Sequence, residues 1–205
     1  MKLGELKIEC LAVMDELNEP ITMETLEGFE SDDSYKDLFA RMPGAINRAM
    51  DRMATLKKLP IKDVVLGNPE KKGGYYIYDL KTVPGFRNVK RVSCMFDNGT
   101  VDAELDYFYE GHRLMIYAGY NGEIRLYYYP KSPAITRDML NTDEVDIPDE
   151  LARIIPYYVK SDLMTRDEPS LATQARNKFE EALEEIDLNE DDYFSETIKK
   201  DYRIE

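Results

Sequence analysis

His112 is the only histidine in the chain. It stands in "EGHR" between Glu110 and Arg113, where an imidazole, a carboxylate and a guanidinium come close enough in sequence to suggest an acid–base group. Because it directly follows a turn and opens a strand, it reads as a solvated turn residue instead. "DNGTVD" at 97–102 superficially follows a calcium loop, but it lacks acids at the alternating early positions and the closing glutamate, so it reads as a hairpin. Cys10 and Cys94 fall in different elements with no histidine or further cysteine at ligand spacing, which predicts buried, reduced thiols. No Gly-x-x-x-x-Gly-Lys-[Ser/Thr], Gly-x-Gly-x-x-Gly, Gly-x-Ser-x-Gly or Cys-x-x-Cys occurs; these patterns would cradle phosphate, carry a nucleophile or run redox chemistry. The residues therefore predict no catalytic group, metal ligand or cofactor.

Charge is the stronger signal. A net charge of −14 over 205 residues repels a duplex, and phosphate contacts need clustered Lys and Arg, so sequence-specific DNA binding is not expected. With 43% hydrophobic and 33% charged residues, the composition is that of a soluble globular protein, and no apolar run approaches the roughly 20 residues of a membrane span. The opening "MKLGELKIECLAVMDEL" has acids interleaved with its apolar positions, which predicts a helix in place of a secretory signal and an intracellular chain.

The elements that must position any functional residue follow from periodicity. Leu3, Leu6, Cys10, Val13, Met14 and Leu17 recur at helical spacing. A short helix is expected from about Tyr35, broken or kinked at Pro43, and another from Gly44 to Leu59 with Ile46, Ala49, Met50, Met53 and Leu56 on its apolar face, stopped by Pro60. Ten of the fifteen tyrosines then lie between Tyr75 and Tyr129, in five segments rich in β-branched and aromatic residues: "YYIYDL", "VKRVSCMF", "VDAELDYFY", "HRLMIYA" and "EIRLYYY". Asn-Gly in "DNGT" and "YNGE", and the turn in "YEGHR", predict three hairpins. After Pro130 a loop leads to "IPDELARIIPYYVKSDLMTRDEPSLA", which opens a helical hairpin: a first helix with Leu151, Ile154, Ile155, Val159 and Leu163 on one stripe, and a second that starts near Asp167 to Pro169 and runs to about Ile186. The expected fold is α+β, a mixed helical bundle formed by both chain ends (1–60 and 148–186) with an inserted antiparallel β-meander of about five strands (61–135). An acidic C-terminal extension (187–205) follows.

Surplus aromatics and uneven charge point to contacts. Ile124, Leu126 and Tyr128 form an inward set, leaving Tyr127 and Tyr129 on the other face, joined by Tyr117 from the strand expected beside them. Tyrosine supplies large contact area at low conformational cost, so these three are candidate subunit-interface residues. Residues 180–205 hold eleven acids against Lys199, Lys200 and Arg203, while Arg41, Arg48, Arg52, Lys57, Lys58 and Lys62 cluster around the third helix. Unlike patches on identical chains suit a head-to-tail contact, with Arg48 and Arg52 as candidates. Tyr193, Phe194, Ile198, Tyr202 and Ile204 make the extension too apolar for a mere solvating tail, and it is expected to order on a partner.

The combination of an N-terminal helix, "INRAMDRMATLKKLP", a β excursion and "PDELARIIPYYVKSDLMTRDEPSLATQARNKFEEALEEI" resembles the head-to-tail connector, or adaptor, proteins of tailed bacteriophages. The resemblance is strongest over about 148–186 and architectural over 75–129; Pro156 and the β excursion depart from the smallest, all-helical connectors. It implies a virion neck protein, assembled in the host cytoplasm, that forms a ring, usually a dodecamer, under the portal around the DNA channel. It also implies contact with the portal protein through the C-terminal segment and with a tail or further neck protein. DNA would pass nearby without specific binding, and no membrane would be involved. Pro156 is expected to give up one helical hydrogen bond, about 3 kcal/mol in an ideal helix, and to turn Tyr157 and Tyr158 toward an adjoining subunit. Two other classes fit the composition: an acidic inhibitor or binding protein for a basic partner, which would never form rings, and a hydrolase using Asp and Glu with a metal.

Overall fold

The computed structural model describes residues 1–14, 20–96, 103–120, 122–136 and 138–188. The chain divides into two compact units: Met1–Lys58 together with the chain from Ser132 onward, and Leu59–Lys131.

The first unit is helical: α1 Leu3–Met14, α2 Leu26–Ser31, α3 Lys36–Thr55, α4 Asp149–Ala152, α5 Ile155–Met164 and α6 Pro169–Glu185. α5 packs against α1, α3 and α6, so helices from both ends of the chain close one bundle. Its core includes Leu6, Cys10, Met42, Ile46, Met50, Val159 and Phe179, all fully buried. The loop that precedes α4 is fastened at two points. It accepts the orphan N–H groups of Leu3 and Gly4 on Asp143 O and Asn141 O, both at 2.9 Å, and the Asn47 side chain donates to Ile135 O at 2.9 Å and accepts from Ile135 N at 2.8 Å. Lys58 Nζ, reaching Ile186 O at 2.7 Å, supplies positive charge at the C-terminal end of α6, where the helix dipole favours it.

Two expectations about proline are corrected. Pro43 does not break a helix; α3 runs through it as one element of 20 residues. Phe39, Met42, Ile46, Ala49, Met50 and Met53 make one continuous buried stripe, and burying several such side chains at about 1.5–3 kcal/mol each outweighs the roughly 3 kcal/mol of an interior proline. Pro156 does not interrupt a helix either. α4 ends at Ala152, and Pro156 sits in the first turn of α5, where its missing N–H would have had no helical partner and its φ is already set.

The second unit contains eight described strands: β1 Lys62–Leu66, β2 Glu70–Lys72, β3 Tyr75–Asp79, β4 Phe86–Met95, β5 Ala103–Glu104, β6 Tyr107–Glu110, β7 Arg113–Tyr117 and β8 Glu123–Pro130. They form two four-stranded sheets, β1-β8-β4-β5 and β2-β3-β7-β6, with every pairing antiparallel. Inward residues of both sheets join one core: Val92, Cys94, Ile124, Leu126 and Tyr128 from the first, Tyr78, Leu114 and Ile116 from the second. The antiparallel β-rich middle between helical ends agrees with expectation; a single five-strand meander does not. β1 and β2 escaped notice because edge strands carry charge that discourages further pairing, as "KDVVL" and "EKK" do, and "VDAELDYFY" spans two strands. The Glu110↔Arg113 pair closes the expected β6–β7 hairpin, the loop in "DNGT" lies outside the described residues, and the third predicted hairpin is overturned. "YNGE" leads from β7 to β8, which lie in different sheets. Gly122 serves a close approach: a Cβ there would stand 2.5 Å from Met95 O and 2.8 Å from Cys94 Sγ on β4.

Candidate interaction surfaces

Side-chain alternation in β2-β3-β7-β6 sends Tyr76, Tyr78, Leu114 and Ile116 inward and therefore Tyr75, Ile77, Met115, Tyr117 and Phe108 outward. Registers Tyr75↔Tyr117, Ile77↔Met115 and Phe108↔Met115 place them on adjoining strands. Tyr75 meets Phe108 and Tyr117 edge-on at centroid distances of 6.0 and 6.3 Å, a favourable quadrupole geometry. Even so, Phe108 is 61% and Tyr117 62% exposed. Gly119 makes room for the Tyr117 ring, since a Cβ there would come within 2.6 Å of it. An apolar face of this kind, rimmed by Glu70, Lys72, Asp79, Glu110 and Arg113, has the composition of an interface centre.

Tyr127 and Tyr129 are on the outward side of β8 in the other sheet. Tyr117 is therefore not their neighbour, contrary to expectation, because β7 pairs with β3 and β6 while β8 pairs with β1 and β4. Tyr127 is half-buried under the Arg91 guanidinium, 4.1 Å from its ring centroid. Part of that second face is covered from within the sheet.

On the helical unit the candidates are drawn into intrachain contacts. Arg48 donates through Nε to Asp162 Oδ1 at 3.2 Å and makes a second bond to Oδ2. Arg52 forks onto Glu180, with Nη2 donating to Oε2 at 3.0 Å and Nε to Oε1 at 3.2 Å. These hydrogen bonds push both guanidinium pKa values up. Arg176 Nε meets the same Glu180 at 3.0 Å, and its guanidinium lies 4.2 Å from the Tyr158 ring centroid. Tyr158 packs edge-on against buried Phe179 at 5.0 Å. Tyr157 is half-buried, with Lys178 Nζ 5.8 Å from its ring centroid, beside a shallow pocket that Val13 and Lys160 also line. Tyr193, Phe194, Ile198, Tyr202 and Ile204 lie outside the described residues.

The two units differ in charge. Leu59–Lys131 holds ten Lys and Arg against nine Asp and Glu, so the remainder of the chain carries −15. Among the described residues, the most exposed large aromatics, Phe96, Phe108, Tyr109 and Tyr117, all belong to the near-neutral β unit.

The SU10 adaptor protein family matches residues 1–199. The chain belongs to that family. A search of curated proteins gives no match. This is a phage head–tail adaptor-type family of structural proteins and not a family of enzymes, which makes the SU10-type adaptor a virion component that interacts with other phage structural proteins. No described helix is long and apolar enough to cross a membrane. Among the described residues of this adaptor, no group of three or more His, Cys, Asp and Glu side chains is placed to hold a metal ion. Both thiols are buried, and burial pushes the Cys10 thiol pKa well up, the setting of an inert cysteine. The sequence analysis named Tyr117 as a contact candidate and did not name Phe108, whose outward position follows from alternation with inward Tyr107.

Proposed function

We propose that this adaptor works as a head-to-tail connector: a closed ring of identical copies seated under the portal, surrounding the channel through which DNA passes. The observation that carries the reading is the exposed aromatic face of Tyr75, Phe108 and Tyr117 on a family member whose partners are phage structural proteins. Copies approaching through their β units avoid the repulsion that two helical units at −15 would meet. Tyr117 sits at the centre of the subunit contact, while Tyr127 and Tyr129, outward on the other sheet, belong to a separate contact. Tyr157, Tyr158, Arg48 and Arg52 form a second contact zone, where the in-chain partners Asp162 and Glu180 hold the guanidiniums in one geometry. A net acidic ring does not release counterions from DNA and so does not grip it.

Native mass spectrometry of the full chain, alone and with the portal protein, tests this. One closed species of fixed copy number is expected. A chain that stays monomeric in both samples while binding a basic protein tightly contradicts the connector and favours an acidic binding protein.

A further inference from the structure

The β unit holds one strongly basic concavity that the contacts above leave unused. At one end of the sandwich, where β4 and β6 of opposite sheets come together, Lys81, Arg87, His112 and Lys131 line an open pocket of about 490 Å³ with no carboxylate in its lining. Phe86 and Tyr109 supply its apolar wall, ring centroids 6.1 Å apart. The walls are held by backbone hydrogen bonds: Leu80 N donates to His112 O at 2.8 Å and Lys131 N to Gly85 O at 2.6 Å, while Tyr128 Oη donates to Pro84 O at 3.0 Å. Lys81 and Lys131 are exposed. A fixed wall, two aromatic rings and surrounding cations suit an acidic peptide that carries an aromatic residue.

The chain itself contains such a segment. Residues 187–205 carry seven Asp and Glu against Lys199, Lys200 and Arg203, with Glu190, Asp191 and Asp192 directly before Tyr193 and Phe194. We propose that the basic pocket of one copy receives the acidic C-terminal segment of a second copy, the Glu-Asp-Asp run meeting Lys81, Arg87 and Lys131 and an adjacent aromatic ring packing near Tyr109. Residues 189–205 span up to about 55 Å when extended. The inference rests on the ring reading for its second copy. It assigns the extension to a subunit contact, where the resemblance alone implied the portal.

Carbodiimide cross-linking of the full-length protein tests it, using equal parts of unlabelled and 15N-labelled chain, because this reagent joins a lysine amine to a carboxylate in direct contact. Mixed-label links between Lys81 or Lys131 and Glu190, Asp191 or Asp192 are expected. R87E protein, which keeps both reacting amines, should form them about tenfold less with its melting temperature unchanged, whereas K81E/K131E protein lacks the amines and cannot form them. Mixing the latter with D191K/D192K protein should restore a link in which Lys and carboxylate have exchanged sides. Links from the segment only to other surfaces, links only within one label, or none at all would overturn the proposal. Native mass of the same samples reads the ring separately. A ring without these links contradicts this inference alone, and linked copies that never close contradict the ring alone.

Discussion

The helical and β units differ in net charge and in what they leave exposed. In the helical unit, cations are paired with partners of the same chain: Arg48 to Asp162, Arg52 to Glu180, Lys7 to Glu30 at 2.6 Å, and Lys58 to the end of α6. The excess of acid remains in solvent. In the β unit charge is nearly balanced, yet an aromatic face and a basic pocket stay open. On the connector reading proposed above, abundant charge is a poor guide to the contact surfaces. Charges satisfied within the chain have little left to offer, whereas exposed aromatics on a near-neutral unit gain most by burial.

That contrast is open to direct attack. Phe179 is fully buried in the helical unit, so Phe179→Ala is expected to cost about 3–5 kcal/mol of stability, read by urea denaturation followed through helical circular dichroism. A cost near zero would show that the bundle around α6 is not packed as described. The β face should respond in the reverse sense. Phe108→Ala with Tyr117→Ala is expected to weaken self-association by about 2–4 kcal/mol in sedimentation equilibrium, while the dispersed chain melts within about 0.5 kcal/mol of the parent. Equal loss of stability and association would make those rings structural.

Smaller effects sharpen the same division. Arg52→Ala removes a partly exposed, salt-screened pair and is expected to cost less than about 1 kcal/mol of stability; as part of the second contact zone it should weaken assembly more than melting, and equal effects would confine Arg52 to the fold. Glu9 is the smallest test. Burial raises its carboxyl pKa, Arg153 opposes this, and Glu5 and Asp149 reinforce it. The folded chain therefore holds the Glu9 proton more tightly than the unfolded chain does. Ionisation costs stability at neutral pH, and that cost shrinks as pH falls through the folded-state value and is gone below the unfolded-state one. Glu9→Gln should raise the melting temperature slightly at pH 7 and give no gain near pH ~3, as scanning calorimetry at the two values would show.

Much of the fold was legible where one period dominated. α1, α6 and the inward set of β8 followed from apolar spacing, and the β6–β7 hairpin from its turn. Prolines misled because their local cost was weighed without the burial around them: Pro43 is carried by a long buried stripe and Pro156 occupies a first turn. Sheet membership was beyond local pattern, since β7 and β8 are adjacent in sequence and part company only because each finds other partners. Tyr117 was named for contact with Tyr127 and Tyr129 but proved to share its face with Tyr75 and Phe108. The pocket of Lys81, Arg87, His112 and Lys131 is assembled from residues fifty positions apart in sequence, so no spacing rule reveals it.

Copy number in the particle tests the connector most directly. Quantitative mass spectrometry of purified virions would count this adaptor against the portal and major capsid proteins. The account predicts near parity with the portal protein; absence of the adaptor from the particles would contradict it.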